Sequence, residues 1–201
     1  MDGGMANKTL KILASLALVT ALGLAPACAK TAATPAQVNE NVIAFWGFNL
    51  DAASVNLATQ TIGAIFAKSS GDNKDGRKVV ISARLSIDVA DWAGVSFSIP
   101  AGWEVSSVTT DYPQGSSNPQ NHAAIISTDS TQEEFQSVVE IGNTKHGAAE
   151  PQGGTGSVII ELVPMPDNKD PGDSMEIDIA VGSVEDNIAG PVHGRFKVIF
   201  D

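Results

Sequence analysis

The feature that most constrains the fold is an alternation of apolar and polar residues with a period of two. Residues 79–89 show it most clearly, because every odd-numbered residue there is apolar and all but one of the even-numbered residues are polar. Successive side chains of a β-strand point to opposite faces, so this segment would bury one face and expose the other. The pattern therefore predicts a half-buried strand.

The same alternation recurs along most of the chain. It is clear in residues 93–99, 175–181 and 196–200. It is weaker in residues 42–49, 103–109, 122–127, 135–141 and 158–163. Segments rich in Gly, Pro, Asn and Asp separate these strands, and no strand–helix–strand alternation is visible. About nine short strands predict an all-β fold, an antiparallel β-sandwich of immunoglobulin-like or jelly-roll type.

Two segments could form short helices. In residues 51–68, Asp51 could cap a helix whose apolar residues recur at helical spacing, although a pair of strands fits the pattern nearly as well. The structure of residues 42–71 is therefore left open between helix and strands. Ser130 and Glu133 form a capping-box pattern that predicts one or two helical turns near Phe135.

The N-terminus has the three parts of a secretion signal. Lys8 and Lys11 are basic, residues 12–24 form an uncharged, mainly apolar run, and small residues Ala25 and Ala27 follow. The apolar run is shorter than the roughly 20 residues that a membrane-spanning helix needs. We therefore expect residues 1–29 to be a signal that directs the protein to the cell surface or the extracellular space.

Cys28, the one cysteine of the chain, directly follows the small residues that end this signal. The position resembles that of the lipidated cysteine in bacterial lipoproteins, although Ala25 occupies the place where that motif has leucine. Lipidation at Cys28 and ordinary cleavage after Ala27 or Ala29 both remain open. Residues 30–41 are polar and contain Ala, Thr and Pro, which predicts a flexible tether ahead of a single β-sandwich domain at 42–201.

The charge of the chain excludes some partners. Its formal net charge is −11, with 23 acidic and 12 basic residues. Such a surface repels phosphate groups, so we expect no nucleic-acid binding and no membrane contact except through a lipid anchor. A single cysteine also excludes an intrachain disulfide bond.

Four segments in order resemble those of cohesin-like and immunoglobulin-like bacterial surface domains. They are the strand at 79–89, AGVSFSI at 93–99, AGWEVSSV at 101–108 and PGDSMEI at 171–177. The resemblance covers about 120 residues. It implies a β-sandwich that binds other macromolecules in a surface assembly.

The sequence gives little support for catalysis. His122, His146 and His193 lie in or near turn-rich segments, no G-x-S-x-G motif is present, and their spacing does not form a zinc site. Five glutamates could supply a pair of glycosidase carboxylates, although sequence does not pair them: Glu133, Glu134, Glu140, Glu161 and Glu176. We therefore expect no enzyme and no cofactor, with calcium as the one exception.

Two groups of residues are candidate binding sites. Asp167, Asn168, Asp170 and Asp173 supply the hard oxygen ligands that calcium prefers. Trp46, Trp103 and Tyr112 are candidate ligand-binding aromatic residues, because β-sandwiches bind sugars on exposed rings. For Trp103, which follows a Pro-Ala-Gly turn, packing in the core or at its rim is the favoured alternative.

The expected function is a non-enzymatic surface module that binds a protein or polysaccharide of the cell surface or builds a surface assembly. One variant is a filament subunit that assembles by strand addition, with residues 192–201 or 30–41 as the donor strand. Two different functions are also compatible with the sequence, namely a carbohydrate-binding module assisted by calcium and a secreted hydrolase.

Overall fold

The computed structural model describes residues 42–52, 57–69, 76–127, 134–143, 153–167, 172–182 and 191–200. They belong to one compact unit, Asn39–Asp201. Ten strands occur in these ranges: β1 (Val42–Asp51), β2 (Gln60–Ser69), β3 (Arg77–Ile87), β4 (Val95–Pro100), β5 (Trp103–Thr110), β6 (Ala123–Ser127), β7 (Phe135–Ile141), β8 (Gly154–Pro164), β9 (Ser174–Val181) and β10 (Val192–Ile199).

The strands form two five-stranded sheets, and all their pairings are antiparallel. Sheet A has the order β1-β2-β3-β8-β5, and sheet B has the order β10-β9-β4-β7-β6. The predicted all-β antiparallel sandwich is confirmed. Within the described ranges, no helix has the length and apolar character needed to cross a bilayer.

The strand count exceeds the prediction of about nine because residues 60–69 form a strand, which corrects the helical interpretation of this segment. Thr61, Ile65 and Ala67 are buried on one side of β2, a period of two that a helix would not give. β2 also pairs with strands on both sides, so its backbone groups are satisfied by the sheet. Asp51 ends β1 and does not cap a helix.

The predicted helical turn near Phe135 is wrong at that residue, because Phe135 begins β7. Residues 130–133 themselves lie outside the described residues. The helical structure observed in the described part is of 3-10 type, at Pro119–His122 and at Gly76, directly before β3.

The core lies between the sheets and consists of the inward-facing residues of nearly every strand. In β3 the odd-numbered residues from Val79 to Ile87 are buried, as the alternation predicts. The prediction fails at Val89, which is 67 % exposed because β3 ends at Ile87 and a turn follows. The Asp88 carboxylate stabilises that turn by accepting hydrogen bonds from the backbone N–H groups of Ala58 and Ala90.

Seven of the strands follow the order of an immunoglobulin constant-type sandwich. Strands β2, β3, β8 and β5 occupy the positions of its ABED sheet, and β4, β9 and β10 occupy those of its CFG sheet. Strand β1 and the β6–β7 pair are additions to this frame. A shared strand order is a property of the fold, so the family resemblance stays a prediction.

Candidate interaction surface

The outer face of sheet A exposes large apolar side chains. Phe45 is 69 % exposed, Ile62 55 % and Ile159 43 %. The strand register places Phe45 opposite Phe66, and Phe66 opposite Val80. Side chains in directly opposed positions contact one another, so three strands share one apolar row.

A groove of about 490 Å³ crosses the same face over β2, β3 and β8. Its lining includes the small residues Ala64 and Ser82, which lie opposite each other in the register. The lining also includes Phe66, Arg84 and Gln114. The groove thus combines an aromatic ring with one positive charge and an amide, a mixture that suits a polar ligand with an apolar side.

The charged side chains on this face balance one another. By strand alternation, the outward-facing charged residues of sheet A are three acids and three bases: Asp51, Glu104, Glu161, Lys68, Lys78 and Arg84. Lys78 Nζ lies 2.5 Å from a Glu161 carboxylate oxygen, and this hydrogen bond lowers the pKa of Glu161. The outward-facing charges on the strands of sheet A therefore sum to zero in a chain of net charge −11, and Asp111, in the loop after β5, adds one carboxylate beside Ser157.

Strand β1 forms one edge of this face, and none of the described strands lies beside its outer backbone groups in sheet A. The Ala52 N–H donates to the Thr59 carbonyl, directly opposite in the register of β1 and β2. Hydrogen-bonded pairs alternate along an antiparallel ladder, so the odd-numbered residues of β1 direct their N–H and C=O groups away from β2. At this edge they include Phe45, Gly47 and Asn49.

The other three edge strands carry features that hinder further pairing. Strand β5 has a bulge between Val105 and Ser107, and β6 has five residues. In β10, the side chains of Arg195 and Lys197 point outward. The Phe200 N–H donates to the Asp173 carbonyl, so by the same alternation the backbone groups of these two residues also point away from β9. Bulges, short length and basic side chains are the devices by which proteins block edge pairing, whereas residues 45–50 of β1 have none of them.

The outer face of sheet B carries charged side chains that bind each other, beside one exposed large apolar residue of β10, Ile199. His193 Nδ1 lies 2.7 Å from an oxygen of the mostly buried Asp178. Arg195 lies 2.8 Å from Glu134 and 3.8 Å from Glu176, and its guanidinium stacks 5.5 Å from the Phe135 ring centre. These groups are already paired, so the face offers less to a partner than sheet A does.

The predicted ligand-binding aromatic residues lie in or against the core. Trp103 and Tyr112 are buried, and Trp46 is a half-buried residue of β1 that packs on the core. Trp103 stacks on Phe200 with ring centres 5.3 Å apart, and burial raises the pKa of Tyr112 to about 12. The rings of Trp103 and Tyr112 face the interior, so neither is the exposed ring that the prediction assumed, and ligand binding by these residues stays a prediction.

The predicted calcium ligands are only partly described. Asp167 and Asp173 are exposed, and Asp173 is 3.4 Å from Arg77, a cation that competes with any metal. Asn168 and Asp170 lie outside the described residues, as does Cys28. In the described ranges, no three His, Cys, Asp or Glu side chains are grouped so that they could hold a metal ion. Calcium binding stays a prediction.

Of the candidate catalytic carboxylates, the described structure brings Glu134 and Glu176 together, since both contact the exposed Arg195, at 2.8 and 3.8 Å. Of the glutamates, Glu161 binds Lys78 on sheet A, Glu140 binds Asn143, and Glu134 binds Arg195. His122 packs edge-on against the Tyr112 ring, away from the His193–Asp178 pair. His146 and Glu133 lie outside the described residues.

Sequence reasoning missed Phe45, Ile62, Phe66 and Ile159, although a signal for most of them was present. Residues 42–46, 64–67, 79–81 and 158–160 are uninterrupted apolar runs within strands. A strand that is apolar at consecutive positions places apolar side chains on both faces of its sheet. Such runs predict a second apolar surface, in addition to the core.

The comparisons with known proteins leave this surface to be interpreted from its geometry: the chain matches no protein-family model, and no curated protein matches it.

Proposed function

We propose that this chain is an exported, non-enzymatic β-sandwich that binds another macromolecule of the cell surface through the outer face of sheet A. The observation that carries the proposal is the group of exposed apolar side chains on that face, Phe45, Ile62 and Ile159. Contiguous exposed apolar surface on a soluble domain marks an interaction site more often than chance exposure. The signal-like residues 1–29 and the acidic composition support export.

The chemistry of the face also narrows the partner. Its balanced charges do not repel an anionic polymer or an acidic protein as strongly as the whole chain would. Apolar side chains at the centre of an interface, with charged groups around them, are typical of protein–protein recognition. A protein partner is therefore our first choice.

The groove favours a second candidate, a polysaccharide. Phe66 offers a ring, while Arg84 and Gln114 offer hydrogen-bond donors within the same lining. This combination suits a sugar, which has both an apolar face and hydroxyl groups.

The test compares two exposed isoleucines on opposite faces. Ile159 is 43 % exposed on sheet A, and Ile199 is 40 % exposed on sheet B. We expect Ile159→Ser to weaken saturable binding of the purified protein to cell-envelope fragments about tenfold, because central apolar contacts dominate such interfaces. Ile199→Ser is the matched control and should bind as the parent does.

Protease treatment of the envelope fragments separates the two partners. Binding that disappears after treatment identifies a protein, and binding that persists identifies a polysaccharide. Two results would refute the proposal: equal losses of binding affinity for Ile159→Ser and Ile199→Ser, or no saturable binding of the parent to untreated or protease-treated fragments.

A further inference from the structure

We propose that two copies of this chain pair antiparallel along their β1 edges, so that the two A sheets join into one ten-stranded sheet. The inference rests on the proposed function in one respect: β1 is the edge of the proposed binding surface, and a second copy of the chain is named as the partner of that edge. The carrying observation is the regular, unprotected edge formed by residues 45–50 of β1.

The backbone of this edge is ready for pairing. The hydrogen bond from the Ala52 N–H to the Thr59 carbonyl shows that Phe45, Gly47 and Asn49 direct their N–H and C=O groups outward, where no described strand pairs with them. The irregularity in β1 lies between Val42 and Ala44, so it leaves these residues in regular strand geometry. A second β1 running antiparallel presents the complementary donors and acceptors to each of them.

The side chains of β1 also suit a copy of themselves. Asp51 is the one charged residue of β1, and it lies at the end of the strand. In a two-fold pairing centred on Trp46, Phe45 lies opposite Gly47, and the two Asp51 side chains lie at opposite ends of the paired segment. No like charges are opposed within the pair, although each chain carries a net charge of −11.

Gly47 gives room for the neighbouring copy. A Cβ atom built on Gly47 would have its nearest neighbour 4.0 Å away, at the Gly63 carbonyl oxygen. The exposed Phe45 ring of one copy can therefore lie over the Gly47 region of the other without a clash. An aromatic ring across from a glycine covers backbone that water would otherwise reach.

The edges also determine the size of the assembly. Strands β5, β6 and β10 each carry a bulge, a short length or outward basic residues, so β1 is the unprotected edge among the described strands. One self-complementary edge produces a closed two-fold dimer, whereas a filament needs two different compatible edges. The strand arrangement therefore favours a dimer over the filament that strand addition would build, and β10 is already paired within its own sheet.

Sedimentation velocity of the purified full chain tests this inference without any other partner. All forms carry Cys28→Ser, so that no lipid or disulfide through the lone cysteine contributes. From about 1 µM to about 100 µM, the range in which weak dimers dissociate, we expect a monomer–dimer equilibrium. Gly47→Lys should weaken it roughly a hundredfold, because it brings two like charges together at the pairing edge.

Thr109→Lys is the matched control, since Thr109 is an exposed residue of the opposite edge strand β5. It should dimerise as the parent does. Asn49→Lys is the second edge variant, and it decides the matter if Gly47→Lys does not fold by circular dichroism.

Three results would overturn the inference: a monomer throughout the concentration range, a dimer unaffected by both edge lysines, or open polymers that grow with concentration. A monomer whose envelope binding still depends on Ile159 would remove the dimer and leave the proposed function intact. A dimer that binds no envelope material would refute the proposed function and leave the dimer intact.

Discussion

The outer faces of the two sheets differ although the sheets share one core. Each sheet has five antiparallel strands and buries its inner face against the other. Sheet A then exposes Phe45, Ile62 and Ile159, whereas sheet B covers its outer face with a network around Asp178 and Arg195. Folding requires only the inner faces to be apolar, so an apolar outer face indicates another use.

The edges of the two sheets repeat this difference. Strand β10 closes sheet B with Arg195 and Lys197 directed outward, and β1 closes sheet A with Phe45 and Gly47. The two strands are neighbours across the sandwich, and Phe48 contacts Phe196 with ring centres 5.6 Å apart. The same side of the molecule therefore has one protected and one unprotected edge.

The largest expected effect on stability distinguishes a glycine on the inner face of sheet A from a glycine on its outer face. A methyl group on Gly63 would overlap the Ser82 carbonyl oxygen and lie 2.7 Å from Phe48 Cζ, whereas Gly47 has open space. We expect Gly63→Ala to lower the free energy of unfolding by about 2 kcal/mol or more. Gly47→Ala should leave it unchanged or raise it by about 0.5 kcal/mol. Urea denaturation measures both, and equal effects would contradict this difference between the inner and outer faces.

A smaller effect on stability tests the hydrogen bonds that join the loop after β5 to strand β8 of sheet A. The Asp111 carboxylate accepts hydrogen bonds from the backbone N–H and the hydroxyl of Ser157, and the backbone bond is the main cause of its lowered pKa. A lowered folded pKa contributes stability above the unfolded value, which is about 3.9, and that stability is lost as the pH falls through the folded pKa.

Asp111→Asn should therefore cost about 1 kcal/mol at pH 7, a modest value because the carboxylate is exposed. The difference from the parent should shrink below about pH 4, as the parent carboxylate becomes protonated. Thermal unfolding at both pH values measures it, with Asp51→Asn at the exposed end of β1 as the control. A difference that persists at about pH 2 would show that Asp111 acts by packing and not by charge.

The smallest effect tests the network on sheet B. Arg195→Ala removes the contacts to Glu134 and Glu176 and the stacking on Phe135. Because Arg195 is 52 % exposed, we expect a loss of about 0.5 kcal/mol, which decreases in about 1 M salt. Envelope binding should be unchanged. A loss of binding equal to that of Ile159→Ser would show that both faces contact the partner.

Local sequence predicted most of the strands but little of the site. Residues 79–87 and 175–181 alternate almost strictly, and they form most of β3 and nearly all of β9. Residues 51–68 were ambiguous because Val55, Ala58, Ile62 and Ile65 fit a helical stripe as well as a strand. Residues 60–69 form a strand because they pair with β1 and β3, and a local sequence pattern does not contain that pairing.

The burial of the candidate aromatic residues was not predictable for a related reason. Trp103 and Trp46 occur in strands with the same alternation, and the pattern does not tell which face becomes the inside. Trp103 is buried against Phe200, a residue near the far end of the chain. Phe45, one position before Trp46, is on the exposed face instead.

The sequence by itself determined that most of this chain forms strands with a buried apolar face, since a period of two is the period of strand geometry. It also determined the signal-like N-terminus and the acidic charge. Only the tertiary structure decided that β1 lies at an edge, that its neighbour across the sandwich is β10, and that Phe45, Phe66 and Val80 form one row. Strand order and register arise from contacts between residues far apart in the chain, and no local pattern encodes them.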